Sequence, residues 1–146
     1  MIAVVTRVSA ASVEVEGFRE AIGTGLLVLL AVEPGDTDHA VAWMAKKLSH
    51  LRVFPDEEDR MNRSVLDIGG SVLLVSQFTL AGDCTKGHRP SFIGAAPPEV
   101  AEPAYEALAD AMRVEYGLEV RTGVFGAAMQ VYSVNEGPVT LIIQAP

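Results

Sequence analysis

The chain has a single cysteine, Cys84, and only three histidines, His39, His50 and His88. One thiol cannot form an intrachain disulfide or a zinc site built from several cysteines, and it fits a reducing compartment. Basic residues are also scarce: 11 Lys and Arg stand against 19 Asp and Glu, a net charge of −8. The overall charge therefore offers no electrostatic reason to bind nucleic acid. Long apolar runs are missing too. The best candidate, Gly25 to Val32, is too short to cross a bilayer and soon meets Glu33-Pro34-Gly35-Asp36, so it reads as a buried strand and no membrane partner is expected. Met1 to Arg7 has no basic leader or apolar signal core, from which a cytoplasmic location is expected. There is no internal repeat or low-complexity linker. With 49% hydrophobic residues, residues 1–146 are expected to form one domain with a sizeable core.

The usual catalytic signatures are absent as well. A nucleophile–His–acid triad needs a histidine, and His39 and His50 fall in or beside an expected helix, where solvation or capping accounts for them. No G-x-S-x-G elbow exists, since Gly69-Gly70-Ser71 has the wrong spacing. Asp83, Cys84 and His88 are all metal-ligand types in one loop, but three mixed ligands without a further His or Cys nearby make a poor site. H-E-x-x-H and P-loop patterns are missing. No metal and no cofactor are expected.

Periodicity supplies the architecture. Ile2 to Val8 is rich in β-branched residues and Ser12 to Glu16 alternates, which predicts two paired strands. The continuous run Leu26 to Val32 predicts a strand buried on both faces. Asp36-Thr37-Asp38 precedes apolar residues at helical spacing, predicting a helix over 37–51; Pro97-Pro98-Glu99 opens a second that ends near Gly117. Further strands are expected at 71–78, 119–122, 128–134 and 139–144, the last two separated by a turn at Asn135 to Pro138. The sum is an α+β domain with a strongly curved, barrel-like, mainly antiparallel sheet and two helices.

Two polar segments remain, Ser76-Gln77-Phe78-Thr79 at a strand end and Asn135-Glu136-Gly137-Pro138. Taken alone, the first reads as strand termination and the second as ordinary turn chemistry. The loop from Ala81 to Pro90 loses apolar periodicity and carries Lys86, His88 and Arg89, which form a small basic group, as do Lys46, Lys47 and Arg52.

At these segments the chain closely resembles the D-aminoacyl-tRNA deacylase family. The resemblance is carried by Val5-Thr6-Arg7-Val8 with Ala11-Ser12-Val13, by Ser76-Gln77-Phe78-Thr79-Leu80, by Lys86-Gly87-His88-Arg89-Pro90-Ser91-Phe92, by Thr122 to Ala127 and by Asn135-Glu136-Gly137-Pro138-Val139-Thr140. These motifs run from the first strand to the last. They imply a metal-free cytosolic homodimer acting on aminoacyl-tRNA, removing D-amino acids and also glycine misattached to alanine tRNA. Ser76, Gln77, Phe78 and Thr79 are then the expected catalytic segment, and Gly137, Pro138, Met129, Ala127 and Arg7 the expected substrate-binding residues. The family's dipeptide corresponding to Gly137-Pro138 has a cis bond and enters the neighbouring subunit's active site. Thr6, His88 and Ala128 stand where the family commonly has Gln, Arg and an acidic residue. Three further readings stay open: a small ester or amide hydrolase with Thr79 as nucleophile, a non-catalytic nucleic-acid- or nucleotide-binding module such as a tRNA-binding dimer, and a structural dimerisation domain in which Val139 to Ile143 pairs across an interface.

Overall fold

The computed structural model describes residues 1–146. Its strands are β1 (Ile2–Val15), β2 (Phe18–Ile22), β3 (Gly25–Ala31), β4 (Phe54–Pro55), β5 (Met61–Arg63), β6 (Ser71–Ser76), β7 (Glu119–Thr122) and β8 (Gln130–Gln144). Its helices are α1 (Asp38–His50) and α2 (Pro98–Tyr116), with a short 3₁₀ turn at Phe78–Ala81. No helix is long and apolar enough to cross a membrane.

β1 organises the sheet. Along one edge it pairs antiparallel with β8; along the other its first half pairs with β3 and its second half with β2, both antiparallel. β3, β6 and β7 then run parallel to one another. Parallel neighbours need a crossover, and α1 supplies it between β3 and β6 as α2 does between β6 and β7. With β2 curling back towards β6 and β7, the sheet is mixed and nearly closed. The expected curved, barrel-like sheet with two helices is thus present, with two parallel pairings inside it.

Alternation along the strands places apolar residues on both faces. Leu26, Val28 and Leu30 of β3 and Val72 and Leu74 of β6 pack towards α1 and α2, against Met44, Leu48, Leu108 and Met112. Leu27, Leu73 and Val75 point the other way, into a smaller core with Val8, Val13 and Ile22. Burial on both faces explains why β3 reads as a continuous apolar run. α2 begins on Pro98 and ends on Gly117, which is left-handed (φ 67°), with the Gly117 and Leu118 N–H groups returning to Arg113 and Met112 carbonyls.

Three local expectations need correction. Ile2–Val8 and Ser12–Glu16 are not paired with each other but lie on one strand, which ends at Val15 with Glu16 in the turn that follows. A change in the phase of alternation between residues 8 and 12 makes the one strand read as two. Val8 pairs with Asn135 and Ala10 with Val134, so Ser9 is an extra residue on β1. One extra residue flips every later side chain to the other face, which puts odd-numbered Ala3 and Val5 under the helices and odd-numbered Ala11 and Val13 in the smaller core. Likewise β8 is continuous through residues 135–138 rather than two strands joined by a turn. Finally, the strand expected over 71–78 stops at Ser76, and Phe78 opens the 3₁₀ turn.

Gly25 sits opposite Ser71 in the β3–β6 pair, where a Cβ would lie 1.8 Å from the Ser71 carbonyl oxygen. Gly25→Ala is therefore expected to push the strands apart and lower stability by about 1–3 kcal/mol. Gly23→Ala, which meets nothing within 4 Å, is expected to change it little. Urea unfolding of the two variants checks the contrast.

Candidate active site

Because β3, β6 and β7 are parallel, their C-terminal ends open at the same end of the sheet, the usual place for a ligand crevice among parallel strands. A pocket of about 530 Å³ lies there. β3 contributes Leu30 and Ala31, β6 contributes Val75 and Ser76 followed by Gln77 and Phe78, and the segment after β7 contributes Phe125, Gly126, Ala127 and Met129. Ala101 and Tyr105 of α2 and Phe92 complete the wall. The volume suits a small ligand or the end of a larger one.

The lining is mostly apolar and holds no Asp, Glu, Lys, Arg, His or Cys. Tyr105 is its one titratable group, and its hydroxyl donates to the Leu74 carbonyl at 2.6 Å. Burial pushes that phenol well above its ordinary range, so it stays protonated and offers no base. No group of three or more His, Cys, Asp or Glu residues is arranged to hold a metal ion.

The catalytic segment expected from the sequence divides at the pocket rim. Ser76, Gln77 and Phe78 line the cavity, whereas Thr79 lies outside the lining and is exposed. The Thr79 hydroxyl accepts a hydrogen bond from the Gln77 side-chain amide. An amide donor does not activate a hydroxyl for attack. The turn's first internal bond runs from the Leu80 N–H to the Gln77 carbonyl, which leaves the Phe78 and Thr79 N–H groups without acceptors inside the turn. Gly82 permits this packing: a Cβ there would come within 2.9 Å of both the Phe92 ring and the Thr79 carbonyl.

Of the expected substrate-binding residues, Ala127 and Met129 line the pocket, whereas Arg7, Gly137 and Pro138 do not. Thr6 pairs with Thr140 and Val8 with Asn135, so residues 136–139 bulge out opposite Arg7. The Gly137-Pro138 bond is cis and both residues are exposed. The Arg7 guanidinium braces this bulge, Nε donating to the Glu136 carbonyl at 2.8 Å and Nη1 to the Val53 carbonyl at 2.6 Å. Arg7 in this chain therefore contacts the Gly-Pro segment rather than the cavity. Thr6 meets Thr140 through their hydroxyls at 3.2 Å. Sequence reasoning did not assign the wall made by Phe92, Phe125 and Tyr105: the first two fall in family motifs without being singled out, and Tyr105, isolated on α2, carries no spacing signal.

Fold and site together define a small α+β domain with an apolar, uncharged pocket at a strand–turn junction and an exposed, braced Gly-Pro bulge elsewhere on its surface. The family model for D-Tyr-tRNA(Tyr) deacylase matches residues 4–144. The D-aminoacyl-tRNA deacylase of Desulfitobacterium hafniense is 56% identical over 146 residues, covering 99% of this chain and 97% of that one. The enzyme of the same name from Thermus aquaticus is 54% identical, covering 99% and 95%. Among solved structures, the c-Myc DNA unwinding element binding protein superposes with a TM-score of 0.93 at 43% identity, covering 100% of this chain and 99% of the other. A probable eukaryotic D-amino acid tRNA deacylase shares the fold, with a TM-score of 0.84 at 19% identity over 97% of each chain. The chain belongs to the D-Tyr-tRNA(Tyr) deacylase family.

Beside the pocket, hydrogen bonds from Thr85, through its side chain and its N–H, hold the Asp83 carboxyl below its ordinary value of 3.8. A depressed carboxylate pKa means the contact is intact above 3.8 and is lost as pH falls through the lower folded value. The Thr85 amide resonance is accordingly expected to stay constant at neutral pH and to titrate with a midpoint below 3.8, as NMR would read.

Proposed function

We propose that the chain hydrolyses the ester of D-aminoacyl-tRNA in this pocket, with Gly137-Pro138 of a second copy as the element that excludes L-amino acids. It is a hydrolase of the aminoacyl-tRNA ester bond, the reaction class of its family. The observation carrying the finer reading is spatial: Ser76–Phe78, Ala127 and Met129 share a cavity, while Gly137-Pro138 is braced on an exposed bulge outside it. A segment held stiffly outside its own pocket suits a neighbour's.

The chemistry asked of the protein is modest. Water adds to the ester carbonyl, the developing oxyanion is met by backbone N–H donors, and the ribose 3′-oxygen leaves with a proton. The Phe78 and Thr79 N–H groups, unclaimed within their turn, are the donors we assign, and one such donor is typically worth about 10²–10³ in rate. With no ionisable base in the lining, the proton transfer falls to water and the terminal 2′-hydroxyl of the tRNA. Gly137 lacks a Cβ, so backbone carbonyls can approach the substrate α-carbon and leave no room for an L side chain. A site that rejects one hand needs no pocket shaped to each D side chain, and glycine passes too. The same reasoning extends the proposal to glycyl-tRNA(Ala).

The second copy is supported by β8. It is 15 residues long, is paired along one edge only, and exposes Val131, Tyr132, Val134, Leu141 and Ile142. An apolar, unpaired edge of that length calls for a cover.

Two expectations test these assignments. Thr79→Ala is expected to keep activity within about tenfold, whereas loss of a true nucleophile costs on the order of 10⁴ or more. Gly137→Ala is expected to narrow the D-over-L preference by about tenfold, or ~1.4 kcal/mol. Single-turnover deacylation of D- and L-tyrosyl-tRNA measures both, and an inactive, folded Thr79→Ala enzyme would overturn the RNA-assisted mechanism. Separately, Ile142→Glu is expected to give monomers in sedimentation with an unchanged circular dichroism spectrum and activity lost in proportion to dimer.

A further inference from the structure

Residues 84–98 contain Lys86, His88 and Arg89 and not one carboxylate, in a chain whose net charge is −8. The Asp83 N–H donates to the Ser91 carbonyl at 2.7 Å and the Ser91 N–H to the Asp83 carbonyl at 2.9 Å, so residues 84–90 stand out as a loop closed at its base. Gly87 turns its tip with φ 67°. Asp83, the acid at that base, is engaged by Thr85. Lys86 and Arg89 are exposed and take part in none of the chain's ion pairs.

The loop returns directly into the pocket wall. Phe92 packs edge-on against Phe78 with ring centroids 5.3 Å apart, and both line the cavity. They are nevertheless 38% and 57% exposed, and Ile93 beside them is 90% exposed. Uncompensated cations and an exposed apolar platform thus meet at one rim. Single-stranded nucleic acid is held by that pair of features, cations on the phosphates and flat apolar groups under the bases.

We propose that the loop 84–91 and Phe92–Ile93 grip the unpaired 3′ strand of the RNA substrate, just before the nucleotide that carries the ester. Lys86 and Arg89 take backbone phosphates, and the exposed face of Phe92 with Ile93 receives an unpaired base. This rests on the deacylase reading above and adds to it the surface that holds the nucleic acid. Holding the strand separately from the amino acid lets binding stay indifferent to side-chain identity. It also gives an acidic protein a local attraction for a polyanion that its total charge repels.

The test uses the full chain with Lys86→Gln and Arg89→Gln combined, on two substrates: D-tyrosyl-tRNA and 3′-O-(D-tyrosyl)adenosine, which has the ester but no phosphodiester. Loss of two phosphate contacts is expected to lower kcat/KM on the tRNA by about five- to tenfold at physiological salt, chiefly through KM. The plot of log(kcat/KM) against log[salt] should become shallower by about 1.4, roughly 0.7 for each single-strand contact. The adenosine ester should be cleaved as by the parent protein. Equal losses on the two esters, or an unchanged salt slope on the tRNA, would overturn the grip. A parent protein that cleaves neither ester would instead overturn the deacylase reading beneath it.

Discussion

β1 must satisfy hydrogen bonds on both edges along its length, and the other parts of the molecule are placed by how it does so. β8 occupies one edge, and β3 and β2 share the other. That sharing bends the sheet, because two strands leave the same edge in succession. The bulge at Ser9 supports the bend and swaps the face that later side chains present. From β3 the parallel run to β6 and β7 follows, and with it three strand ends that open together into the pocket. On the β8 side, four residues that find no partners on β1 are thrust outward opposite Arg7. Arg7 then donates to the carbonyls at Glu136 and Val53, so the broken ladder does not leave the bulge loose.

A pocket without an ionisable base is chemically coherent for an ester already activated by its ribose. Charged catalytic groups inside an apolar cavity would carry desolvation costs and shifted pKa values, as Tyr105 does. Backbone N–H groups at the start of a turn keep their polarity without a titrating proton. On the proposed mechanism, rate depends on how rigidly the junction after Ser76 is held, and the Gln77 N–H bonding the Leu30 carbonyl at 2.7 Å fixes it from β3. The hydrogen bond between Gln77 and Thr79 fits a supporting role for both side chains.

Much of the fold is legible in the sequence, and the exceptions have physical causes. Both helices appear within a residue or two of their expected ends, since capping residues and a 3.6-residue apolar period act locally. β1 reads as two strands because a bulge and a true break change alternation in the same way. Only the partner strand tells them apart. The stretch 135–138 reads as a turn because Asn-x-Gly-Pro favours one, yet pairing on both sides of it keeps β8 continuous. At the site, Ser76 to Phe78 stand out through a family motif and Ala127 and Met129 through the substrate-binding role the resemblance implies, and the structure puts them in one cavity. That Gly137-Pro138 lies outside its own cavity is implied by the family resemblance but not by the residues themselves, since it depends on register between strands more than a hundred residues apart.

The composition poses a difficulty that local structure resolves. A net charge of −8 opposes approach to RNA, and the repulsion is long-ranged only at low salt, because screening confines it to about 8–10 Å under physiological conditions. Within that distance local charge governs, and at the pocket rim local charge is positive. On the proposed reading, the chain's net charge of −8 disfavours contact with the rest of the RNA. On the proposed reading, rejection therefore works at two scales: charge keeps the body of the RNA from sticking, and a backbone wall from the neighbouring copy keeps the L-amino acid out.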